Sequence, residues 1–302
     1  MGTRFELLLS GSDERALNGL LDLLALELEE WDRRLSLFRS DSLVAHINRR
    51  AAERPVRLDG QTFSLLSTCL QVYRQSRGAF DVTVAPLMRA FGFHPGRKPL
   101  ALAMAALAKD VLPHGSAPCG SAPHGSAPCG SDGLVLDSKA RTVAFTRPGL
   151  AIDLGAVGKG FVLDLLVEQL GEERSLVDAA LLHGGTSTVV AVGHPRGREG
   201  FDVLIRDTST RLCLRDGALS VSSRAGRTVG HGKARRGHVI DPLSRRPAEG
   251  GPERAVVTGR SALLTDAWST ALLAAGPRPL RVPPELTCIT VPVSDRSMQW
   301  TT

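Results

Sequence analysis

Ala151-Ile-Asp153-Leu-Gly155-Ala-Val-Gly158-Lys159-Gly160-Phe161 reads as a strand, a glycine-rich turn and the first residues of a helix. Backbone N–H groups at such a turn, backed by the positive end of a helix dipole, suit an anion and phosphate above all. The glycine spacing excludes two familiar phosphate-binding folds. A P-loop needs four residues between its first glycine and a Gly-Lys pair followed by Ser or Thr; here two residues separate Gly155 from Gly158-Lys159, and Gly160 follows. A dinucleotide fingerprint needs G-x-G-x-x-G, which Gly155, Gly158 and Gly160 do not spell. A tight turn that needs glycine torsions accounts for the same residues without any ligand.

Outward from this turn the pattern predicts an α+β chain. The helix starting near Val157 carries Phe161, Val162, Leu165, Leu166 and Leu170 on one side, and another covers about Ala262 to Ala275. Upstream, Ser12, Asp13 and Glu14 open a long helix with Leu17, Leu20, Leu21, Leu24, Leu28 and Trp31 at helical spacing. A further helix runs from about Thr62 to Ser76. Strand-like runs fall at Leu134 to Leu136, Thr142 to Phe145, Thr188 to Val192 and Phe201 to Ile205. Strands in groups with helices between them argue against a regular βαβ repeat.

Residues 113–132 break this pattern. His114-Gly-Ser-Ala-Pro-Cys119 repeats as His124-Gly-Ser-Ala-Pro-Cys129, and Pro and Gly every few residues forbid a helix or central strand, so the composition reads as a flexible insertion. His and Cys are zinc-ligand types, but the even spacing of five lacks the short Cys-x2-4-Cys pairing of structural sites and follows from tandem duplication.

Of the 302 residues 42% are hydrophobic, enough for a sizeable core. The net charge of +6 is carried by arginine, the lysines being Lys98, Lys109, Lys139, Lys159 and Lys233. The arginines are dispersed and aromatics are few, which disfavours a nucleic-acid stripe. Five cysteines, an odd number, argue against a disulfide framework. No run approaches the ~20 apolar residues of a membrane span. With no secretory signal pattern at Met1, the expected location is cytoplasmic.

Two further segments carry candidate chemistry. In Leu264-Thr-Asp266-Ala-Trp-Ser-Thr270, a helix places Asp266 and Thr270 four apart on one face; a carboxylate and a hydroxyl are hard oxygen donors of the kind Mg takes. Asp266 is expected on the helix surface. Gly237-His238-Val-Ile240-Asp241-Pro242 puts a histidine, the usual general base near neutral pH, at the end of a short strand before a turn.

In this order, these segments resemble the FAD:protein FMN transferases, or ApbE-type flavin transferases, from Met1 to about Gly276. The most specific stretch is Gly78-Ala79-Phe80-Asp81-Val-Thr83-Val-Ala-Pro86-Leu followed by Phe91-Gly-Phe93. Met1-Gly-Thr3, Leu35-Ser-Leu-Phe38 with Ile47-Asn48, Asp153-Leu-Gly-Ala-Val-Gly-Lys-Gly-Phe161, Gly184-Gly185, His238 to Pro242 and Thr265 to Ala271 complete it. Departures are Ala156, Gly158, Phe91, Thr186 in place of an acid, and Val221-Ser222-Ser223 for a Thr-Ser-Gly stretch.

The resemblance implies a single compact α+β domain over 1–276, with several mixed or antiparallel sheets and flanking helices, then a short Pro-rich segment at 277–302. It implies that FAD lies against Met1, Phe38, Ala79, Phe80, Asp81, Gly155, Phe161 and Ile240. Mg would be held by Asp266, Thr270 and the Gly158 carbonyl. His238 would act as the base, with Asp241 and Asp153 next in line. The implied activity is Mg-dependent transfer of FMN from FAD to a Ser or Thr of an acceptor protein, releasing AMP. A non-catalytic flavin-binding protein of the same fold is the alternative. The family's acceptor motif is absent from this chain, so self-modification is not expected.

Overall fold

The structure is a computed structural model that describes residues 3–94, 129–173, 175–206, 208, 210–225, 228–229, 236–291 and 299–301. Met1, His114, Cys119 and His124 lie outside these residues, and with them nearly all of the expected insertion.

A seven-stranded antiparallel sheet organises the chain, in the order β1-β5-β6-β9-β14-β15-β16. Its strands are β1 (Phe5–Ser10), β5 (Ala179–Gly184), β6 (Thr188–Gly193), β9 (Gly217–Ser223), β14 (Arg254–Gly259), β15 (Thr287–Val291) and β16 (Gln299–Thr301). Side chains of a strand alternate between faces, and here the two faces serve two cores. Leu182, Val190, Ala218 and Val257 join the main core with the helices. Val189, Ala191, Leu219 and Val256 form a second core with Ile205 and Leu214, under the hairpin of β7 (Phe201–Leu204) and β8 (Arg211–Leu214).

Six α-helices are described. They are α1 (Glu14–Leu35), α2 (Leu43–Arg50), α3 (Gly60–Gln75), α4 (Ala85–Ala90), α5 (Gly158–Glu172) and α6 (Ala262–Ala275). Asp13 caps α1 by accepting the Ala16 N–H at 3.0 Å, as an acid before an amphipathic run should. Eleven of the fourteen residues of α6 are buried, so it is a core helix rather than a surface one. The three-stranded sheet β2-β4-β3 is built from Val56–Arg57, Thr142–Phe145 and Leu134–Asp137.

Two expectations are corrected. Residues 151–154 are extended but join no sheet. Their partner is a side chain: Asn48 on α2 accepts the Ile152 N–H at 2.7 Å and donates to the Ile152 carbonyl at 2.9 Å, while the Asp153 N–H reaches the Val82 carbonyl at 2.7 Å. One amide thus does what a neighbouring strand would do. The chain after Gly276, expected only as a Pro-rich segment, adds β15 and β16 to the main sheet.

Candidate functional site

The site is built where α5, α6 and β9 meet. Helix α6 starts at Ser261, whose hydroxyl accepts the Leu264 N–H at 3.2 Å and donates to Asp164 of α5 at 2.7 Å. Asp164 also accepts the Ala262 and Leu263 N–H groups at 2.7 and 3.0 Å, placing a carboxylate at the positive end of α6. The two helices touch at Gly160, where a methyl group would overlap the Ala262 carbonyl and lie 2.8 Å from Asp266 Oδ2. Glycine is required there by contact rather than by torsion.

This close approach buries Asp266, which is 4% exposed. That corrects its expected place on the helix surface: every face of α6 is covered. Its Oδ2 accepts the Gly160 N–H at 2.8 Å and its Oδ1 the Thr188 hydroxyl of β6 at 2.5 Å. Burial holds the carboxyl above the usual range, against the opposing pull of the Lys159 charge and the donors Thr188, Ser220 and Gly160. No cation among the described residues stands within ion-pair distance of it. One turn along α6, half-buried Thr270 shares the hydroxyl of Ser222 (3.4 Å) with Ser269 (2.8 Å). Ser220 and Thr265 pair in the same way at 2.8 Å.

The glycine turn is less open to an anion than its sequence suggests. The N–H of Gly155 donates to Asp153 Oδ1 at 2.8 Å, those of Val157 and Gly158 to the Leu154 carbonyl at 3.1 and 2.7 Å, and that of Gly160 to Asp266. The amides of Ala156 and Lys159 and the Lys159 ammonium are left for a ligand, the ammonium 3.5 Å from the Gly155 carbonyl.

The other residues named from the sequence fall into two groups. Phe38 is 61% exposed and meets the His94 ring edge-on at 5.7 Å, and His94 Nε2 lies 3.3 Å from Asp153 Oδ2, so Phe38, His94, Asp153 and Gly155 form one outward-facing cluster. His238 is half-buried, just before the short strand β12 (Ile240–Asp241). Asp241 is committed elsewhere, to Arg278 at 2.5 Å and to the turn amides of Leu243 and Ser244.

Ala79, Phe80, Phe161 and Ile240, by contrast, are buried side chains. Phe161 packs edge-on against Trp31 at 5.0 Å, and Ile240 packs with Leu87, Phe91, Phe93 and Cys129. Asp81 is buried too. It accepts from the Thr83 N–H and hydroxyl, both at 2.7 Å, and from the Ser131 hydroxyl at 2.6 Å and N–H at 3.2 Å. The Cys129 thiol donates to it at 3.6 Å, and burial pushes that thiol up in pKa, which suits a packed cysteine rather than a metal ligand. Among the described residues no group of three or more His, Cys, Asp or Glu could hold a metal. Two surface depressions, of about 390 and 750 Å³, lie along α1 and are not lined by Asp266, Thr270 or His238.

Sequence reasoning missed Asn48 as a backbone partner, Asp164, Thr188 and His94. Thr188 and Asp164 lie 78 and 97 positions from their partners, Asp266 and Ser261, so no local pattern flags them.

This architecture is shared with solved ApbE structures. The chain superposes on the ApbE protein of Thermotoga maritima with a TM-score of 0.80 at 21% identity, over 99% of this chain and 94% of that one. The flavin transferase ApbE of Vibrio cholerae gives 0.76 at 20%, over 100% and 94%. A profile of the ApbE family matches residues 1–282, and the chain belongs to that family. It is a transferase. The FAD:protein FMN transferase of Klebsiella pneumoniae is 28% identical over 287 residues, 92% of this chain and 77% of that one. The protein of the same name from Escherichia coli K12 is 27% identical over 292 residues, with the same coverage.

Proposed function

We propose that this chain transfers FMN from FAD to a Ser or Thr hydroxyl of an acceptor protein, using Mg and releasing AMP. The observation that carries this reading is Asp266: a buried carboxylate without an ion-pair partner among the described residues, tied to the glycine turn and one helical turn from Thr270. A divalent cation would offset the cost of burying that charge. The Asp266 carboxylate, Thr270 hydroxyl and Gly158 carbonyl are hard oxygen donors of the kind Mg takes, and the Asp266 carboxylate, with about four acceptor positions, accepts from three donors, so the residues fit Mg. A metal there would polarise the diphosphate bridge and neutralise charge on the leaving AMP.

The protein's own groups supply the rest. The Ala156 and Lys159 amides and the Lys159 ammonium orient phosphoryl oxygens at the start of α5. Exposed Phe38 offers a flat apolar surface to a flavin or adenine ring. His238 accepts the proton of the acceptor hydroxyl, which then attacks the FMN phosphorus as the bond to AMP breaks.

Incubating the protein with FAD, Mg and an acceptor domain should add the mass of FMN to the acceptor. No added mass under any Mg concentration would overturn the assignment. The His238→Asn variant should bind FAD normally yet transfer at least ~100-fold more slowly. Normal transfer by that variant moves the base elsewhere, with Asp153 the next candidate.

A further inference from the structure

We infer that Arg224 is a phosphoryl-binding residue, held in readiness beside Thr270 for the diphosphate of a bound dinucleotide. The inference rests on the flavin-transferase reading and adds a contact that the glycine turn cannot supply. Four of the turn's amides are already spent inside the protein, so the charge of a diphosphate needs a side-chain partner beyond Lys159.

The register of β9 on α6 places Arg224. Ser220 bonds Thr265, and Ser222 bonds Ser269 and Thr270, so each step of two residues along β9 advances about one turn of the helix. The Arg224 N–H continues the ladder to the Glu253 carbonyl at 3.0 Å, so its backbone follows β9 two positions beyond Ser222. By strand rise its α-carbon stands about 7 Å from that of Ser222, whose hydroxyl meets Thr270. The segment that carries His238 passes at the same point: a methyl group on Gly237 would be 3.1 Å from the Arg224 carbonyl. The backbone of Arg224 therefore lies between the strand that meets the α6 hydroxyls and the segment that leads to His238.

Its guanidinium is in an unusual state. Nε and Nη2 are both buried and neither has a hydrogen-bond partner. The charges of Glu249 and Glu253 act on it, against the cost of burial. Unpaired N–H groups of this kind are costly in a folded protein and persist where a ligand completes them. The planar fork of a guanidinium matches two phosphate oxygens at once, which a lysine at the same place would not.

The test uses the full chain, with Arg224→Met to remove the charge at similar length and Arg224→Lys to keep the charge without the fork. FAD, ADP and riboflavin are titrated against each, and the melting temperature is measured without ligand. Arg224→Met should weaken FAD and ADP at least tenfold, leave riboflavin unchanged, and melt no lower than the parent, because it removes two buried N–H donors that have no partner. Arg224→Lys should recover part of the ADP affinity. Unchanged FAD and ADP affinity in Arg224→Met overturns the inference, as does equal weakening of all three ligands with a lower melting temperature, which marks a structural arginine. If the parent protein itself binds no FAD, the flavin-transferase reading falls and this one with it.

Discussion

Asp81 and Asp266 are two buried carboxylates with similar surroundings. Both are held above the usual carboxylate range by burial, and both are opposed by hydroxyl and amide donors. Every donor to Asp81, however, belongs to one of two chain segments, residues 83 and 129–131, and the carboxylate fastens one to the other. Asp266 has fewer donors and a half-buried hydroxyl one turn away. Burial and raised pKa alone do not separate a structural acid from a chemical one. What separates them is whether the coordination shell is closed.

That difference can be broken or sharpened by substitution. The largest effect is expected from Asp266→Asn. Asparagine can accept from Gly160 and donate to Thr188, so the fold should hold, while loss of the charge slows FMN transfer by about a thousandfold, or ~4 kcal/mol in barrier. Transfer at the parental rate, measured by acceptor mass at saturating FAD, would remove Asp266 from the chemistry. Gly160→Ala is next: its methyl drives α5 off the Ala262 carbonyl and should cost about 3 kcal/mol in urea unfolding.

Asp81→Asn should do the reverse of Asp266→Asn. Its amide would face donors on both sides, at Thr83 and Ser131, so stability should fall by about 2 kcal/mol with transfer per folded molecule intact. The smallest effect belongs to His183 on β5, opposite Glu6 on β1. Burial lowers its pKa, against the pull of Glu6, so the unfolded chain takes up the proton first. Stability is therefore lost as pH falls through and below about 6.5. His183→Gln should flatten that acid limb in thermal melts taken from pH 7.5 to 5.

Much of this was legible in the sequence, and what was not has physical reasons. Asp13 and the leucine spacing fix α1, and Ala262 to Ala275 is the helix its pattern describes. The turn and helix start at Gly155 to Phe161 were readable because glycine and periodicity are local signals. The strand expected at 151–154 failed because extended backbone looks the same whether a strand or an asparagine pairs with it. Asp266 was placed at the surface because a helix pattern shows which face is apolar, not how many faces are covered; Ala267, Trp268, Ala271 and Leu273 around it were the available hint. Arg224 carried no sequence signal at all, since its meaning lies in an absent partner.

Strand β1 begins at Phe5, and its partner β5 begins at Ala179. As the chain emerges from the ribosome, β1 therefore stays unpaired until β5 follows it. Thr188 arrives next, and the helix bearing Asp266 and Thr270 comes after it. A chain made only that far thus lacks Asp266 and Thr270, two of the residues proposed to hold a metal. The proposed metal site is therefore completed only after the glycine turn it is tied to.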